Sequence, residues 1–391
     1  MPRLRQARLL LAAVLLTALV GWPALAGAAG SAHTLAAVPQ GFVGMVVDEP
    51  VWPDPWIDLQ HQIDLMTLSG VQSLRVVFNW ASAQPYQHWS QVPSDRRSRY
   101  VNVGGIPTDF SQFDQIMTAA SHDGQRLLPV VLDAPAWDGE RKPHTVLAIP
   151  KTDGPYVAFV RALVRRYGPG GTFWQTYSSG RQVPIRQWQL WNEPNILAFW
   201  PDQPFEARYV GLLMAASKAI KRVDPGAKVV LAGMPNYSWI DLARIYKING
   251  ARSAFDIVAI HPYTKDPQGV LTILGYVRQV MNQNGDQRKP IIADEISWPS
   301  SVGKTTHDTG YDFATTESGQ AANVKQVIPM LVANRKRLNL LGFYYYDWAG
   351  LERQNELAFD FSGLFRLQDG QFVAKPAYKT FQQGALAIEG H

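Results

Sequence analysis

Apolar segments of strand length alternate with segments of helix length eight times along this chain. The strand-length segments are almost continuously Val, Ile and Leu, which is typical of parallel strands buried on both faces. These segments are Gly41–Val47, Leu74–Phe78, Arg126–Leu132, Ile185–Leu190, Lys228–Ala232, Asp256–Ile260, Pro290–Ala293 and Leu341–Tyr345. The helical segments are Ile57–Leu68, Phe110–His122, Tyr156–Tyr167, Phe205–Val223, Ile240–Ile248, Val270–Asn284, Ser318–Leu338 and Ala377–Leu386. Eight such alternations predict an α/β fold, a single (β/α)8 TIM barrel.

Three connections between a strand and the following helix are unusually long. They are Gln84–Pro107, Asp133–Pro155 and Ser297–Glu317. In barrels of this kind the loops that follow the strands build the active-site face. The sequence therefore predicts one catalytic domain, residues 30–391, with extended βα loops around its site.

Residues 1–29 have the pattern of a signal peptide rather than of a folded element. Arg3, Arg5 and Arg8 form a basic head, Leu9–Val20 is apolar, and Ala24-Leu25-Ala26 matches a cleavage site. We expect a protein that is secreted or held in the cell envelope, with an uncleaved N-terminal anchor as the alternative. No later segment is long and apolar enough to predict membrane insertion.

Charge and composition exclude several classes of function. The chain has 37 Lys and Arg against 32 Asp and Glu, and three of the basic residues lie in the leader, which leaves 34 against 32. A nearly neutral protein gives no reason to expect a nucleic-acid partner. The absence of cysteine excludes thiolate metal sites and thiol catalysis. We expect a monomer that needs no metal or cofactor.

Two glutamates follow strand segments in a way that suggests chemistry. Glu193 lies in Trp191-Asn192-Glu193-Pro194, directly after the fourth strand segment, and Glu295 follows the seventh. The strand ends of a closed barrel face one central cleft, so both carboxylates can meet there. Paired carboxylates suit cleavage of a glycosidic bond, with a gap of about 5–5.5 Å for retention and about 6.5–9.5 Å for inversion. The sequence leaves that gap open.

These motifs resemble those of the clan A (4/7 superfamily) retaining glycoside hydrolases. The resemblance implies that Glu193 is the acid/base and Glu295 the nucleophile. It also implies that Arg75, on the second strand, supports the nucleophile, and that His261-Pro262-Tyr263, after the sixth strand, lines the cleft. Trp348, after the eighth strand, matches the tryptophan that forms the floor of the sugar subsite next to the cleaved bond in that clan.

Two stretches bear on the family within the clan. The run Leu132-Asp133-Ala134-Pro135-Ala136-Trp137 lacks the histidine that family 5 members have after strand three. The stretch from Tyr167 to Trp174 resembles bacterial relatives of family 39, a group that includes β-xylosidases and exopolysaccharide hydrolases. The resemblance implies double-displacement hydrolysis of β-glycosidic bonds in an extracellular or cell-wall polysaccharide or oligosaccharide.

Further candidate sugar-binding residues follow the strands. Asn192 is placed to bond a sugar 2-OH. Asn79, Trp137 and Trp298 could contact sugar rings or could equally serve packing. Asp294 should face the opposite side from Glu295, because neighbouring residues of a strand alternate.

Several alternatives stay open. A barrel of this kind could bind carbohydrate without cleaving it, although a binder has no need of paired carboxylates. The same residues could also catalyse transglycosylation that remodels envelope glycans. Neither the sugar, the linkage nor the choice between endo and exo cleavage follows from the sequence.

Overall fold

The computed structural model describes residues 38–177, 180–305, 312–353 and 357–388. The predicted signal peptide lies outside these ranges. Within them, no helix combines the length and the apolar character needed to cross a bilayer.

Eight parallel strands form a barrel. In chain order they are β1 Val43–Val47, β2 Ser73–Asn79, β3 Arg126–Leu132, β4 Gln187–Leu190, β5 Lys228–Val230, β6 Val258–Ile260, β7 Ile291–Ile296 and β8 Leu340–Tyr345. Strands that are neighbours in sequence pair with each other except β5 and β6, and β8 pairs with β1. Bridges from Val230 to Ile257 and from Met234 to Ile260 close the ring between β5 and β6. The predicted (β/α)8 barrel is therefore confirmed.

One helix follows each strand on the outside of the barrel. These helices are α1 Leu59–Leu68, α2 Ser111–His122, α3 Asp153–Tyr167, α4 Glu206–Val223, α5 Ser238–Tyr246, α6 Pro267–Gln283, α7 Glu317–Leu338 and α8 Pro376–Ile388. Several begin at side-chain caps. Asp58, Asp266 and Thr316 accept hydrogen bonds from backbone N–H groups of the first turns of α1, α6 and α7.

Short elements fill the long connections. Those between β2 and α2 are the helix Trp80–Ala83, the 3₁₀ helices Trp89–Gln91 and Ser94–Arg99, and the strands Val101–Val103 and Ile106–Thr108. Those between β3 and α3 are the strands Gly139–Glu140 and Ile149–Pro150. The short helices Thr172–Thr176 and Ala251–Ala254 precede β4 and β6. Between β8 and α8 lie Ala349–Gly350, the 3₁₀ helix Ala358–Phe361, and the hairpin strands Phe365–Gln368 and Gln371–Ala374.

One irregularity of the barrel bears directly on the site. On β7, Ala293 pairs with Phe343 and Ile296 pairs with Tyr345, so β7 has one more residue than β8 between these pairings. Such a bulge redirects side chains and interrupts the alternation of faces. The residues within the bulge are Asp294 and Glu295.

Candidate active site

The loop that carries Glu193 has a strained backbone held by hydrogen bonds. Trp191 has φ 76° and Glu193 has φ 45°, a region that non-glycine residues rarely occupy. The N–H of Trp191 donates to Val131 O at 3.1 Å, and the N–H of Glu193 donates to Gly233 O at 2.9 Å. Such strain is typical of residues that a fold holds in a fixed functional position.

The Trp191 ring packs against other aromatic side chains. It is fully buried, and it packs edge-on against Trp200 with ring centroids 5.2 Å apart. Its indole N–H donates to Phe199 O at 3.1 Å. This packing and this hydrogen bond fix the position of the loop at Trp191.

Glu193 and Glu295 both lie close to His261, the residue that directly follows β6. His261 Nδ1 lies 2.7 Å from Glu193 Oε1 and 3.4 Å from Glu295 Oε2. One oxygen of each carboxylate and the imidazole nitrogen all lie within 4.8 Å of one another. Residues separated by 102 positions in the chain thus form one cluster, as the predicted barrel requires.

Glu295 is held by two donors. Arg75 Nη1 donates to Glu295 Oε1 at 2.7 Å, and the Tyr263 hydroxyl donates to Glu295 Oε2 at 2.5 Å. The remaining arms of Arg75 donate to Asn192 Oδ1 at 2.6 Å and to Gln189 Oε1 at 2.8 Å. The arginine therefore links strands β2, β4 and β7.

Asp294 faces the same interior as Glu295, against the alternation expected from sequence. Its Oδ2 accepts a hydrogen bond from Gln189 Nε2 at 2.6 Å, and it lies 3.3 Å from Arg75 Nε and 3.4 Å from His261 Nε2. The bulge in β7 explains the difference, because its extra residue lets two consecutive side chains reach the barrel interior.

The protonation states follow from burial and these contacts. Burial raises the pKa of Glu193 above its ordinary value, while the hydrogen bond to His261 opposes the rise and the charge of Glu295 adds to it. Burial disfavours the charged imidazole, but Glu295 and Asp294 outweigh it and raise the pKa of His261 to about 10. Burial and Glu295 raise the pKa of Tyr263, so its hydroxyl keeps the proton that it donates.

Two predicted sugar-binding tryptophans lie within the packing of the fold. Trp348 is 1% exposed, donates its indole N–H to Gln62 Oε1 at 2.9 Å, and packs against Tyr378 between α1 and α8. Trp298 is fully buried and donates to Thr264 O at 2.9 Å. Both rings are buried among protein atoms, which leaves little of their surface for a sugar.

Asn79 ends β2 and Trp137 lies on the loop after β3, and both are half-buried. Asn79 accepts from Ser82 N and donates to Asp133 Oδ2 at 3.2 Å. Trp137 donates to Gln84 O at 2.8 Å and meets Trp80 edge-on. Both side chains retain partial exposure on the face of the barrel that carries the carboxylates.

Two residues near the cluster were missed by the sequence analysis. Gln189 lies between Trp188 and Leu190 in the fourth strand, where it is fully buried. A polar residue within an apolar strand segment is the sequence signal that could have identified it. Tyr346 follows β8 and lies close enough to contribute to the raised pKa of Tyr263.

The ligand atoms of Glu193, His261 and Glu295 are close enough for a metal ion to bridge them. However, Arg75 and Tyr263 already donate to both oxygens of Glu295. This arrangement suits proton transfer and nucleophilic attack better than metal binding, because a cation beside the guanidinium would be repelled. A second group of possible ligands, Asp64, His122 and Asp123, lies outside this cluster.

Comparison with known proteins identifies relatives by structure only. No protein-family model matches the chain, and no curated protein matches its sequence. A family 39 glycoside hydrolase from the gut symbiont Bacteroides cellulosilyticus superposes with a TM-score of 0.61 at 18% identity, over 90% of this chain and 64% of that one. The present chain therefore spans less than two thirds of that enzyme.

Other similar structures extend the comparison. A monomeric β-xylosidase from Caulobacter crescentus has a TM-score of 0.59 at 20% identity, over 88% of this chain and 68% of that one. The GH53 catalytic domain from Ignisphaera aggregans has a TM-score of 0.59 at 19% identity, over 89% and 97%. The resemblance to clan A barrels is thus confirmed at the level of the fold: the chain is a (β/α)8 barrel of the kind found in these glycoside hydrolases.

Proposed function

We propose that this chain is a retaining glycoside hydrolase that cleaves β-glycosidic bonds by double displacement. One observation carries the proposal: two glutamates, half-buried Glu193 on the loop after β4 and buried Glu295 within β7, present carboxylate oxygens within 4.8 Å of each other and share His261. A cluster of this kind suits a reaction that needs an acid and a nucleophile on one bond.

The gap between the carboxylates favours retention over inversion. Retaining enzymes hold their carboxyl groups about 5–5.5 Å apart, whereas inverting enzymes need about 6.5–9.5 Å to admit a water molecule. One oxygen of each carboxylate lies within 4.8 Å of the other, which supports the shorter separation of the retaining mechanism. Glu295 is therefore suited to attack the sugar itself.

In the first step, a Glu295 oxygen bonds the anomeric carbon as the bond from that carbon to the glycosidic oxygen breaks. Glu193 gives its proton to the departing oxygen, so the leaving group departs as a neutral alcohol. In the second step, water attacks the anomeric carbon, Glu193 takes the water's proton, and the ester bond to Glu295 breaks. The raised pKa of Glu193 suits a residue that must begin this cycle protonated.

The surrounding residues support these roles. Arg75 and Tyr263 orient the Glu295 carboxylate by donating to opposite oxygens. The same arginine engages the amide oxygen of Asn192. This contact leaves the Asn192 NH2 group as the donor for a sugar hydroxyl near the reacting carbon.

The proposed substrate is a β-linked polysaccharide or oligosaccharide outside the cell or in its envelope. Similar structures include proteins named as a β-xylosidase, an exo-β-1,4-mannosidase and β-1,4-galactanases. Aromatic side chains on the strand-end loops could stack on sugar rings, namely half-buried Trp137 and the exposed Tyr237. Export would depend on the predicted leader.

The proposal is tested with purified residues 30–391 on a panel of xylan, mannan, galactan, glucan and aryl β-glycosides. Glu193→Gln and Glu295→Gln should each lose activity, with losses of about 10²-fold or more. Glu206→Gln is a matched control, because Glu206 is a glutamate on α4, outside the cluster, and is buried to the same extent as Glu295. Chelation with EDTA should leave the activity unchanged.

Added azide distinguishes the acid/base residue from the nucleophile. On an aryl glycoside with a good leaving group, azide should restore turnover to a Glu193→Ala variant and give a product of retained configuration. Activity undiminished in either glutamine variant would refute the site. Tight binding of a polysaccharide that no variant or wild-type protein cleaves would show a carbohydrate-binding barrel instead.

A further inference from the structure

Asp294 is the one acid of the cluster that the proposed reaction does not use. We infer that Asp294 is a positioning residue, which holds His261 and Arg75 in the arrangement that the two glutamates need. This inference rests on the proposed function, and it extends that function to a residue that never touches the substrate.

The burial of the Asp294 carboxylate has a free-energy cost that its contacts must offset. Its side chain is fully buried, and a buried carboxylate is costly unless cations and hydrogen-bond donors surround it. One oxygen, Oδ2, meets three groups: Gln189 Nε2 at 2.6 Å, Arg75 Nε at 3.3 Å and His261 Nε2 at 3.4 Å. Two of these three groups also contact Glu295 through their other nitrogens.

His261 therefore has a carboxylate near each ring nitrogen, and the contact of Nε2 with Asp294 is an ion-pair contact rather than a hydrogen bond. Nε2 faces Asp294, and Nδ1 faces Glu193 and Glu295. A carboxylate against one ring nitrogen fixes the orientation of the ring and favours a proton on that nitrogen. The opposite nitrogen is then directed at the acid/base glutamate.

The contact between His261 and Asp294 leaves no room for a side chain at Gly233. A Cβ atom at this position would lie 2.1 Å from His261 Nε2 and 2.5 Å from Asp294 Oδ2. Any side chain would push the ring and the carboxylate apart. The carbonyl of Gly233 also accepts the N–H of Glu193 at 2.9 Å, so one residue fixes both the acid and the ring that contacts it.

The charges that face His261 come from every neighbouring element. Glu193 approaches from the loop after β4, and Asp294 and Glu295 approach from β7. Arg75 opposes them from β2, and neutral Tyr263 follows on the same segment as His261. Removing the charge of Asp294 leaves the imidazolium with fewer anions, and its pKa should fall.

The test compares Asp294→Asn with Asp286→Asn. Both changes neutralise a buried aspartate without changing its shape. Asp286 lies in the connection between α6 and β7, bonded to Tyr246, Arg252 and Lys289. It therefore controls for the loss of stability that any buried charge change can cause.

The first readout is the charge of His261, followed by ¹⁵N NMR of histidine-labelled protein between pH 5 and 10. The chain has 8 histidines, and the His261 signals are those missing from a His261→Gln spectrum. Wild-type protein and Asp286→Asn should keep an imidazolium at pH 7. In Asp294→Asn, the titration midpoint should fall by at least one pH unit.

The second readout is the pH profile of kcat/KM on an aryl glycoside. Asp294→Asn should lower kcat by up to about 100-fold, the loss typical of a displaced reacting group, and shift the profile, with KM little changed. Asp286→Asn should keep the wild-type profile. The inference is overturned if folded Asp294→Asn has the wild-type His261 titration and the wild-type profile. The NMR readout requires no turnover, so it tests the inference even if the proposed hydrolase activity fails.

Discussion

Replacing Arg75 by Met tests how much the charge of Arg75 stabilises the fold, measured as the free energy of unfolding. Arg75 is 4% exposed and contacts Glu295 and Asp294, which are 8% and 0% exposed. Breaking a buried ion pair by removing one partner typically costs about 3–5 kcal/mol, because the remaining charge is left in a poor solvent. We expect a loss of this size at pH 7, a large share of the roughly 5–15 kcal/mol that stabilises a typical domain.

Arg75→Lys is the matched control, because it keeps the positive charge. It loses the planar fork that donates to Gln189 and Asn192 as well as to Glu295. Each neutral hydrogen bond contributes about 1 kcal/mol net, so the lysine variant should lose about 2 kcal/mol. The gap between the two variants then measures the charge rather than the hydrogen bonds.

The pH dependence has a definite sign. Burial opposes it, but His261 and Arg75 hold the pKa of Asp294 below its ordinary value of 3.8. A lowered carboxyl pKa contributes stability that is present above the unfolded value, near 3.9, and lost as the pH falls through the folded one. Without Arg75, Asp294 accepts a proton more readily, so wild-type protein and Arg75→Met should converge in stability below about pH 4.

The assay is urea unfolding, followed by tryptophan fluorescence, at pH 7 and at pH 3.5. A methionine variant as stable as the lysine variant at pH 7 would refute the argument. So would a difference from wild type that stays equally large at pH 3.5.

Three further predictions concern His261, Trp348 and Glu317. Because the hydrogen bond to His261 opposes the rise in the pKa of Glu193, His261→Gln should move the alkaline limb of kcat/KM to higher pH; an unchanged limb would contradict this. Trp348→Phe leaves Gln62 without its donor, so thermal unfolding should show a loss of about 1–3 kcal/mol while KM for glycosides stays unchanged. The salt bridge from Lys304, together with a second cation, lowers the pKa of Glu317 to about 2 although burial opposes it, so Glu317→Gln should be less stable at pH 7 and nearly equal to wild type at pH 2.

The barrel could be predicted because its signal is repeated along the chain. Eight apolar strand segments predict eight strands even where single bounds differ, and the largest error falls at the end of β7, observed at Ile296 rather than Ala293. The polar pair Asp294-Glu295 gave the appearance that the strand had ended. In the structure these two residues continue the strand and are stabilised by buried cations, which no local pattern reveals.

The site could be predicted only where backbone position decides which way a side chain faces. Glu193 and His261 converge because residues at the ends of barrel strands have few other directions available, and Arg75 reaches them from within β2. Asp294 departs from the alternation because a bulge, which depends on pairing with β8, adds one residue. Trp348 lies beyond the strand on an irregular loop, and its ring direction depends on the space between α1 and α8.

The charges of the cluster fit the proposed reaction in a way that no single residue shows. Before reaction, the cations Arg75 and His261 balance the anions Asp294 and Glu295, and the proposed reaction begins with a proton on Glu193, whose pKa burial raises. When Glu295 forms its bond to the sugar, it loses its charge, and Glu193 gains one by releasing the proton. His261 Nδ1 lies 2.7 Å from one carboxylate and 3.4 Å from the other, so the negative charge moves between two neighbours of the same cation. The net charge of the buried site stays constant, and the donors need not reorganise as the charge moves, which is the condition under which fixed dipoles and charges lower a barrier most.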